Sequence, residues 1–234
     1  MAMTDFHSHI LPGIDDGSAS VEESLNMLRQ EREQGVSRVI ATPHFYAWQD
    51  TPEHFLSKRN DAENMLRKAM TAEKDLADVS VGAEVSYFRG ISESEAVAAM
   101  TIQGTEYLMV EMPKTPWTNA MYEELLGLHN RGIVPIIAHV DRYIRPLKTY
   151  GIPARLAELP VLVQANAEFF LSPYTAPMAL KLLKTGGIQL LGSDCHNLTT
   201  RRPNLGPALE VIQRKLGREA LARLREYEYQ IMGI

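Results

Sequence analysis

The chain has 234 residues, 45% of them apolar and 23% charged, and a formal net charge of −5. That is material for one well-cored domain, and the acidic balance argues against nucleic acid, whose polyanion selects basic surfaces. The single cysteine excludes an internal disulfide; with no basic start leading into an apolar stretch and no run of membrane-spanning length, a cytoplasmic protein without membrane insertion is expected.

An apolar run at residues 3–6 leads straight into His7-Ser8-His9. Helical spacing follows at 18–34. There Ser20 and Glu23 resemble a capping box, Val21, Leu25 and Leu28 recur on one face, and Gly35 sits where a C-cap belongs. The run 38–42 leads to His44, and 52–74 reads as a longer helix with Phe55, Met65, Leu66 and Met70 available for an inward stripe. Runs at 79–83 and 106–110 end on Glu84 and Glu111. A helix at 119–130, stopped by Arg131-Gly132, precedes the run 133–138, which ends on His139. The sixth run, 161–165, ends on Asn166 and is the only one without an ionisable residue behind it. A helix at 174–184 then precedes the run 188–192, followed by Ser193-Asp194-Cys195-His196. The tail at 204–229 is helical apart from a break near Gly217. Strand and helix thus alternate seven times, the pattern of a (β/α) barrel or an open parallel sheet. No linker, repeat or low-complexity tract divides the chain, so one domain spanning residues 1–234 is expected.

If the runs are parallel strands, their carboxyl ends share one rim, where α/β folds place their chemistry. Nine potential ligands then gather there: His7, His9, Asp16, His44, Glu84, Glu111, His139, Asp194 and His196. A His-x-His pair after a strand points both imidazoles the same way, and two such nitrogens can hold one divalent ion. Five of the seven histidines fall at strand ends; His54 and His129 lie in helices and read as surface residues. Glu84 and Glu111 each end an apolar run, where an unpaired charge is costly and a metal offsets the cost. The reading is a multinuclear metal site.

The string from His7-Ser8-His9 to Asp15-Asp16-Gly17, then Thr42-Pro43-His44, Gly82-Ala83-Glu84, Ala138-His139-Val140-Asp141-Arg142 and Gly192-Ser193-Asp194-Cys195-His196-Asn197, resembles the polymerase and histidinol phosphatase (PHP) superfamily. Within it the chain looks most like the bacterial manganese-dependent tyrosine phosphatases of the capsule and exopolysaccharide type. The resemblance covers nearly the whole chain and implies a distorted, TIM-like (β/α)7 barrel with three divalent metals. It assigns His7, His9, Glu84 and Asp194 to one metal, and Glu84, Glu111 and His139 to a second. Asp16, His44 and His196 go to the third. The mixed nitrogen and oxygen donors suit manganese, iron, cobalt or zinc and do not by themselves choose among them; manganese is what the resemblance implies. Arg142, three residues beyond His139, and Arg201, five beyond His196, match the family's phosphate-gripping arginines, a task for which the guanidinium fork is suited. Arg202 reads as a surface residue.

The implied substrate is phosphotyrosine in the tyrosine-rich tail of a bacterial autokinase that controls capsule synthesis. A small-molecule phosphomonoesterase such as histidinol phosphatase is the rival enzyme, although that branch tends to carry a His where Asp16 stands. A rival of another class is a non-catalytic module that regulates polysaccharide synthesis by contact. Its mark would be lost ligands, and none is missing.

Cys195 to Arg201 also satisfies C-x5-R, the signature of thiol-based tyrosine phosphatases. The five intervening residues include no glycine, Asp194 opposes thiolate formation, and Arg202-Pro203 delays the helix that should face the anion. Cys195 is therefore expected to be a small buried filler. Phe45, Tyr46 and Trp48 after one strand, and Met112, Trp117 and Tyr122 after another, offer a wall for an aromatic leaving group or simple packing. Glu168 reads as structural.

Overall fold

The structure, a computed structural model, describes residues 3–144 and 151–233. Its first half runs β1 (Met3–Ser8), α1 (Val21–Glu33), β2 (Val36–Ala41), β3 (His44–Phe45), α2 (Pro52–Met70), β4 (Asp78–Val81), β5 (Glu84–Ser86), a 3-10 turn (Glu95–Met100) and β6 (Tyr107–Glu111). The second half runs α3 (Asn119–Asn130), β7 (Val134–Ile137), α4 (Asp141–Ile144), α5 (Ile152–Leu156), β8 (Leu162–Asn166), α6 (Glu168–Leu171), α7 (Ala176–Lys184), β9 (Leu190–Gly192), α8 (Leu205–Leu216) and α9 (Arg218–Met232). Every strand pair is parallel. The order is β1-β2-β4 in one sheet and β3-β5-β6-β7-β8-β9 in the other.

The nine strands make seven staves, because two staves are broken. Pro43, which has no N–H to donate, separates β2 from β3, and Gly82-Ala83 separates β4 from β5. Hydrogen bonds bridge both breaks: Gly82 N–H donates to Ala41 O at 2.8 Å and Glu84 N–H to Pro43 O at 3.0 Å. Instead of ending the second and third staves, His44 and Glu84 restart them, and they face each other in the β3–β5 ladder. The last stave meets the first through a parallel bridge between Ser8 and Cys195. There Asp194 N–H donates to His7 O at 2.8 Å and His9 N–H to Cys195 O at 2.9 Å.

Alternation along the staves builds two apolar layers. Phe6, Ile40, Met109, Ile136 and Leu190 join the inner cluster, while Val39, Leu108, Val110, Ile137 and Leu191 join the outer one under the helices. β1 breaks the alternation. Between the pairs Asp5–Val39 and Ser8–Ala41 it advances three residues against two on β2, which is a bulge. His7 N–H donates to the Asp5 carboxylate at 3.0 Å in that bulge. Phe6 thereby enters the inner core while its neighbour His7 reaches the rim.

Ser20 caps α1, accepting from Glu23 N–H at 3.2 Å, while the Glu23 carboxylate accepts from Ala19 N–H at 2.9 Å. The buried face of α1 is Ser24, Met27, Leu28 and Glu31, which differs from the Val21-Leu25-Leu28 stripe because the strand layer meets the helix further round. On α2, Phe55, Ala62 and Leu66 are buried, whereas Met65 is exposed. Among the described residues no helix is long and apolar enough to cross a membrane.

Candidate metal centre

Every one of the nine rim residues lies within one connected cluster. His7 and His9 come from the end of β1, where their Nε2 atoms stand 3.2 Å apart. The Glu84 carboxylate is 3.2 Å from His7 Nε2 and 3.4 Å from His9 Nε2. Asp194 Oδ1 is 3.6 and 3.5 Å from the same two nitrogens. Donors arranged tetrahedrally at about 2.1 Å from an ion stand roughly 3.4 Å from one another, and each carboxylate stands at about that spacing from the two imidazoles.

Glu84 Oε1 also lies 2.7 Å from His139 Nε2, and Glu111 Oε1 lies 3.5 Å from that nitrogen. On the far side, Asp16 Oδ1 is 3.6 Å from His44 Nε2 and 3.4 Å from His196 Nε2. Donor atoms of His9, Asp16, His44 and His196 come within 4.8 Å of one another, as do those of His7, His9 and Asp194, and those of His44, Glu84 and Glu111. His44 and His9 therefore take part in more than one grouping.

Burial makes this arrangement expensive without a cation. Glu84, His7, His9 and His139 are buried. Burial disfavours the Glu84 charge, yet the His7 charge and hydrogen bonds from His139 and His44 hold its carboxyl well below the usual range. Burial pulls His139 down to about 4, and burial together with the His9 charge does the same to His196. Both rings are neutral at physiological pH, the state a metal ligand needs. Among the described residues, His139 Nδ1 and His196 Nε2 are buried without a hydrogen-bond partner. Native structures rarely leave such atoms unpaired, so the donor set fits divalent metals.

The backbone is bent to serve the cluster. His139 (φ +34°) and Asp194 (φ +54°) adopt the left-handed region, a sparsely populated choice for side chains of this kind. The loop before α1 packs so closely that a Cβ on Gly17 would stand 2.2 Å from His9 O; only glycine fits.

Three supporting residues escape the pattern of ionisable strand ends. Asp15, the neighbour of Asp16, accepts at 2.7 Å from His9 Nδ1 and at 3.0 Å from His44 N–H. Gln164 Oε1 lies 3.3 Å from His7 Nδ1 and accepts at 2.6 Å from His139 N–H. Asn166 Nδ2 donates to Asp194 Oδ2 at 2.9 Å. The visible signal was Gln164-x-Asn166 at the end of β8, the same alternate spacing as His7-x-His9.

Arg142 donates to Asp194 Oδ2 and lies 3.6 Å from Glu111, while Arg201 donates to Asp194 Oδ1 at 2.7 Å. Asn197 Oδ1 holds the Arg201 loop by accepting from the backbone N–H of Thr199, Thr200 and Arg201. Both arginines line a cleft of about 710 Å³, which Arg202 and Glu168 also border. Arg202 and Glu168 are exposed. Cys195 is fully buried and turned away, its Sγ 3.9 Å from Glu31. Burial, with the Glu31 and Asp5 carboxylates, pushes its thiol well above the ordinary value, which disfavours a nucleophilic thiolate there. His54 and His129 are exposed on their helices.

The family model for capsular polysaccharide synthesis, CpsB/CapC, matches residues 3–229. The chain is 28% identical over 231 residues to the tyrosine-protein phosphatase YwqE of Bacillus subtilis (strain 168), which covers 96% of this chain and 89% of that protein. It is 29% identical over 228 residues to the tyrosine-protein phosphatase CpsB of Streptococcus pneumoniae, covering 92% and 91%. In three dimensions it is similar to a chain from the crystal structures of YwqE and CpsB, described as unique metal-dependent tyrosine phosphatases. The TM-score is 0.85 at 26% identity, over 96% of this chain and 92% of that one. A lactonase from Listeria monocytogenes, at 13% identity and a TM-score of 0.54, shares the fold alone.

Proposed function

This chain belongs to the CpsB/CapC family of capsular polysaccharide synthesis, and from that premise we propose that its rim is the active site of a metal-dependent protein-tyrosine phosphatase that hydrolyses phosphotyrosine. The observation that carries the metal assignment is the pair His7 and His9, their Nε2 atoms 3.2 Å apart and each 3.2 to 3.6 Å from the carboxylates of Glu84 and Asp194, with two arginines beside them. These four would hold one cation, Glu84, Glu111 and His139 a second, and Asp16, His44 and His196 a third, with manganese suited to the donors. Bound there, divalent cations supply an activated water and offset phosphoryl charge.

The chain's own groups do the rest. Arg142 and Arg201 present guanidinium forks to the cleft, where they pair with phosphoryl oxygens and gain strength as charge builds on them. Glu84, within 3.4 Å of His7, His9, His44 and His139, ties the ligand groups into one rigid array. Asp15 fixes the His9 ring by holding Nδ1, which leaves Nε2 directed at the centre. The substrate we infer is the tyrosine-rich tail of a bacterial autokinase acting in capsule synthesis, in keeping with the family.

The test is hydrolysis of p-nitrophenyl phosphate before and after EDTA, with manganese restored, followed by phosphotyrosine peptide against histidinol phosphate. Activity that is lost with the metal, regained with manganese and selective for the peptide is the expected result. Full activity in metal-free protein would sink the assignment, and preference for histidinol phosphate would move the enzyme to the small-molecule class.

A further inference from the structure

Two loops beside the centre carry aromatic residues, and the structure sorts them by burial. Phe45 is buried against Phe55, ring centroids 5.1 Å apart. Trp117 is buried between Tyr122 at 5.6 Å and Tyr143 at 5.0 Å. These are core residues. Tyr46 and Trp48 are different. The Tyr46 ring stacks on His44, with centroids 5.1 Å apart and an interplanar angle of 25°. Trp48 lies 5.0 Å beyond Tyr46 and is 62% exposed.

Rings 44, 46 and 48 thus form a ladder that starts at the centre and ends in solvent. A single exposed apolar side chain needs no explanation. An indole left in water at the end of a ring stack rooted in the active site is another matter, since its large apolar face gains nothing until something covers it. Two of the ladder's rings, His44 and Tyr46, line a cleft of about 480 Å³ together with Asp16, Ile14, Phe55 and Lys58.

We propose that Tyr46 and Trp48 form the subsite for the phenyl ring of the phosphotyrosyl substrate and its adjoining peptide. This rests on the phosphatase reading above. The ring of phosphotyrosine is joined to phosphorus through one ester oxygen, so it must lie close beside the group that binds phosphate. Tyr46 stacks on His44, one of the rim residues, with centroids 5.1 Å apart, so its ring stands beside the centre where the ring of a bound phosphotyrosine must lie, and aromatic rings in offset or edge-to-face contact attract. A phosphoserine or another alkyl phosphate has no π face to offer and gains nothing from the ladder. The subsite therefore sets selectivity for aryl phosphomonoesters.

The experiment compares wild type, Trp48→Ala and Trp48→Phe on a phosphotyrosyl peptide, with inorganic phosphate as competitive inhibitor and metal content measured in each protein. Trp48 is so exposed that its removal does not threaten the fold. For Trp48→Ala, KM for the peptide should rise roughly threefold to tenfold, the scale of one aromatic pair. Trp48→Phe should restore most of that loss. The phosphate inhibition constant and metal content should match wild type. An unchanged KM in Trp48→Ala overturns the subsite, and so does a parallel rise in the phosphate inhibition constant, which reports a disturbed centre. A wild-type protein inert on every phosphomonoester would instead remove the phosphatase reading itself, and the subsite with it.

Discussion

Asp194 is the side chain on which the two halves of the site meet. Its Oδ1 faces His7 and His9 and accepts from Arg201, and its Oδ2 accepts from Arg142 and Asn166. Cys195, the next residue, points into a buried pocket with Asp5 and Glu31. One loop therefore holds the two chemistries apart. Arg201→Ala should lower kcat/KM by the factor that corresponds to about 2–4 kcal/mol of lost transition-state stabilisation, the scale of a lost charge-stabilising donor, while Cys195→Ser in manganese buffer keeps most of the activity. A folded, metal-replete but dead Cys195→Ser would overturn the metal mechanism and leave the phosphatase assignment in place. Glu84 touches four imidazoles and Glu111 only one, so Glu84→Gln should lose more bound metal per chain than Glu111→Gln. Metal analysis that finds equal content in the two variants would count against a bridging Glu84.

At the scale of elements, the seven staves were legible because apolar runs of strand length alternate with helical spacing, and the rim was legible because six runs end in ionisable residues. The parts that were not legible depend on tertiary geometry. No local signal marks the β1 bulge, which exists because Asp5 accepts the N–H groups of both His7 and Ser193. The break at Gly82 was hidden inside the run 79–83, which looked continuous, and the one at Pro43 follows directly on the run 38–42. β8 seemed to stand outside the site because it ends on an amide, yet that is its contribution: Gln164 and Asn166 hold His7, His139 and Asp194 without adding charge. Gln164→Ala should weaken metal binding on the order of 10- to 100-fold, the usual effect of removing such support. A metal titration indistinguishable from wild type would show that β8 only packs. Gly192 has a related duty, since a Cβ there would stand 2.4 Å from the His7 Cβ. The close contact between β9 and β1 depends on it.

Considered whole, the molecule is closed at the end opposite the rim by α9. Ile231 joins the inner cluster, and Glu228 accepts from Thr4 at the start of β1. Glu228 is 8% exposed. Burial raises its pKa above the usual carboxylate value, although the Thr4 hydrogen bond and the Arg225 and Arg38 charges work the other way. A carboxyl whose pKa is higher in the folded state than in the unfolded chain favours folding fully below its unfolded pKa. That contribution is lost as the pH rises through the folded value. At neutral pH the Glu228 charge thus opposes docking of the tail helix. Glutamine keeps the acceptor for Thr4 and carries no charge, so Glu228→Gln should melt above wild type at pH 7.5, with the gap closing as the pH falls towards 5. Thermal melts of the two proteins at both values check this, and taking their difference cancels the titration of the metal site, which both share. A gap that stays constant with pH, or a variant less stable at pH 7.5, would mean that α9 is held by the charged carboxylate rather than in spite of it.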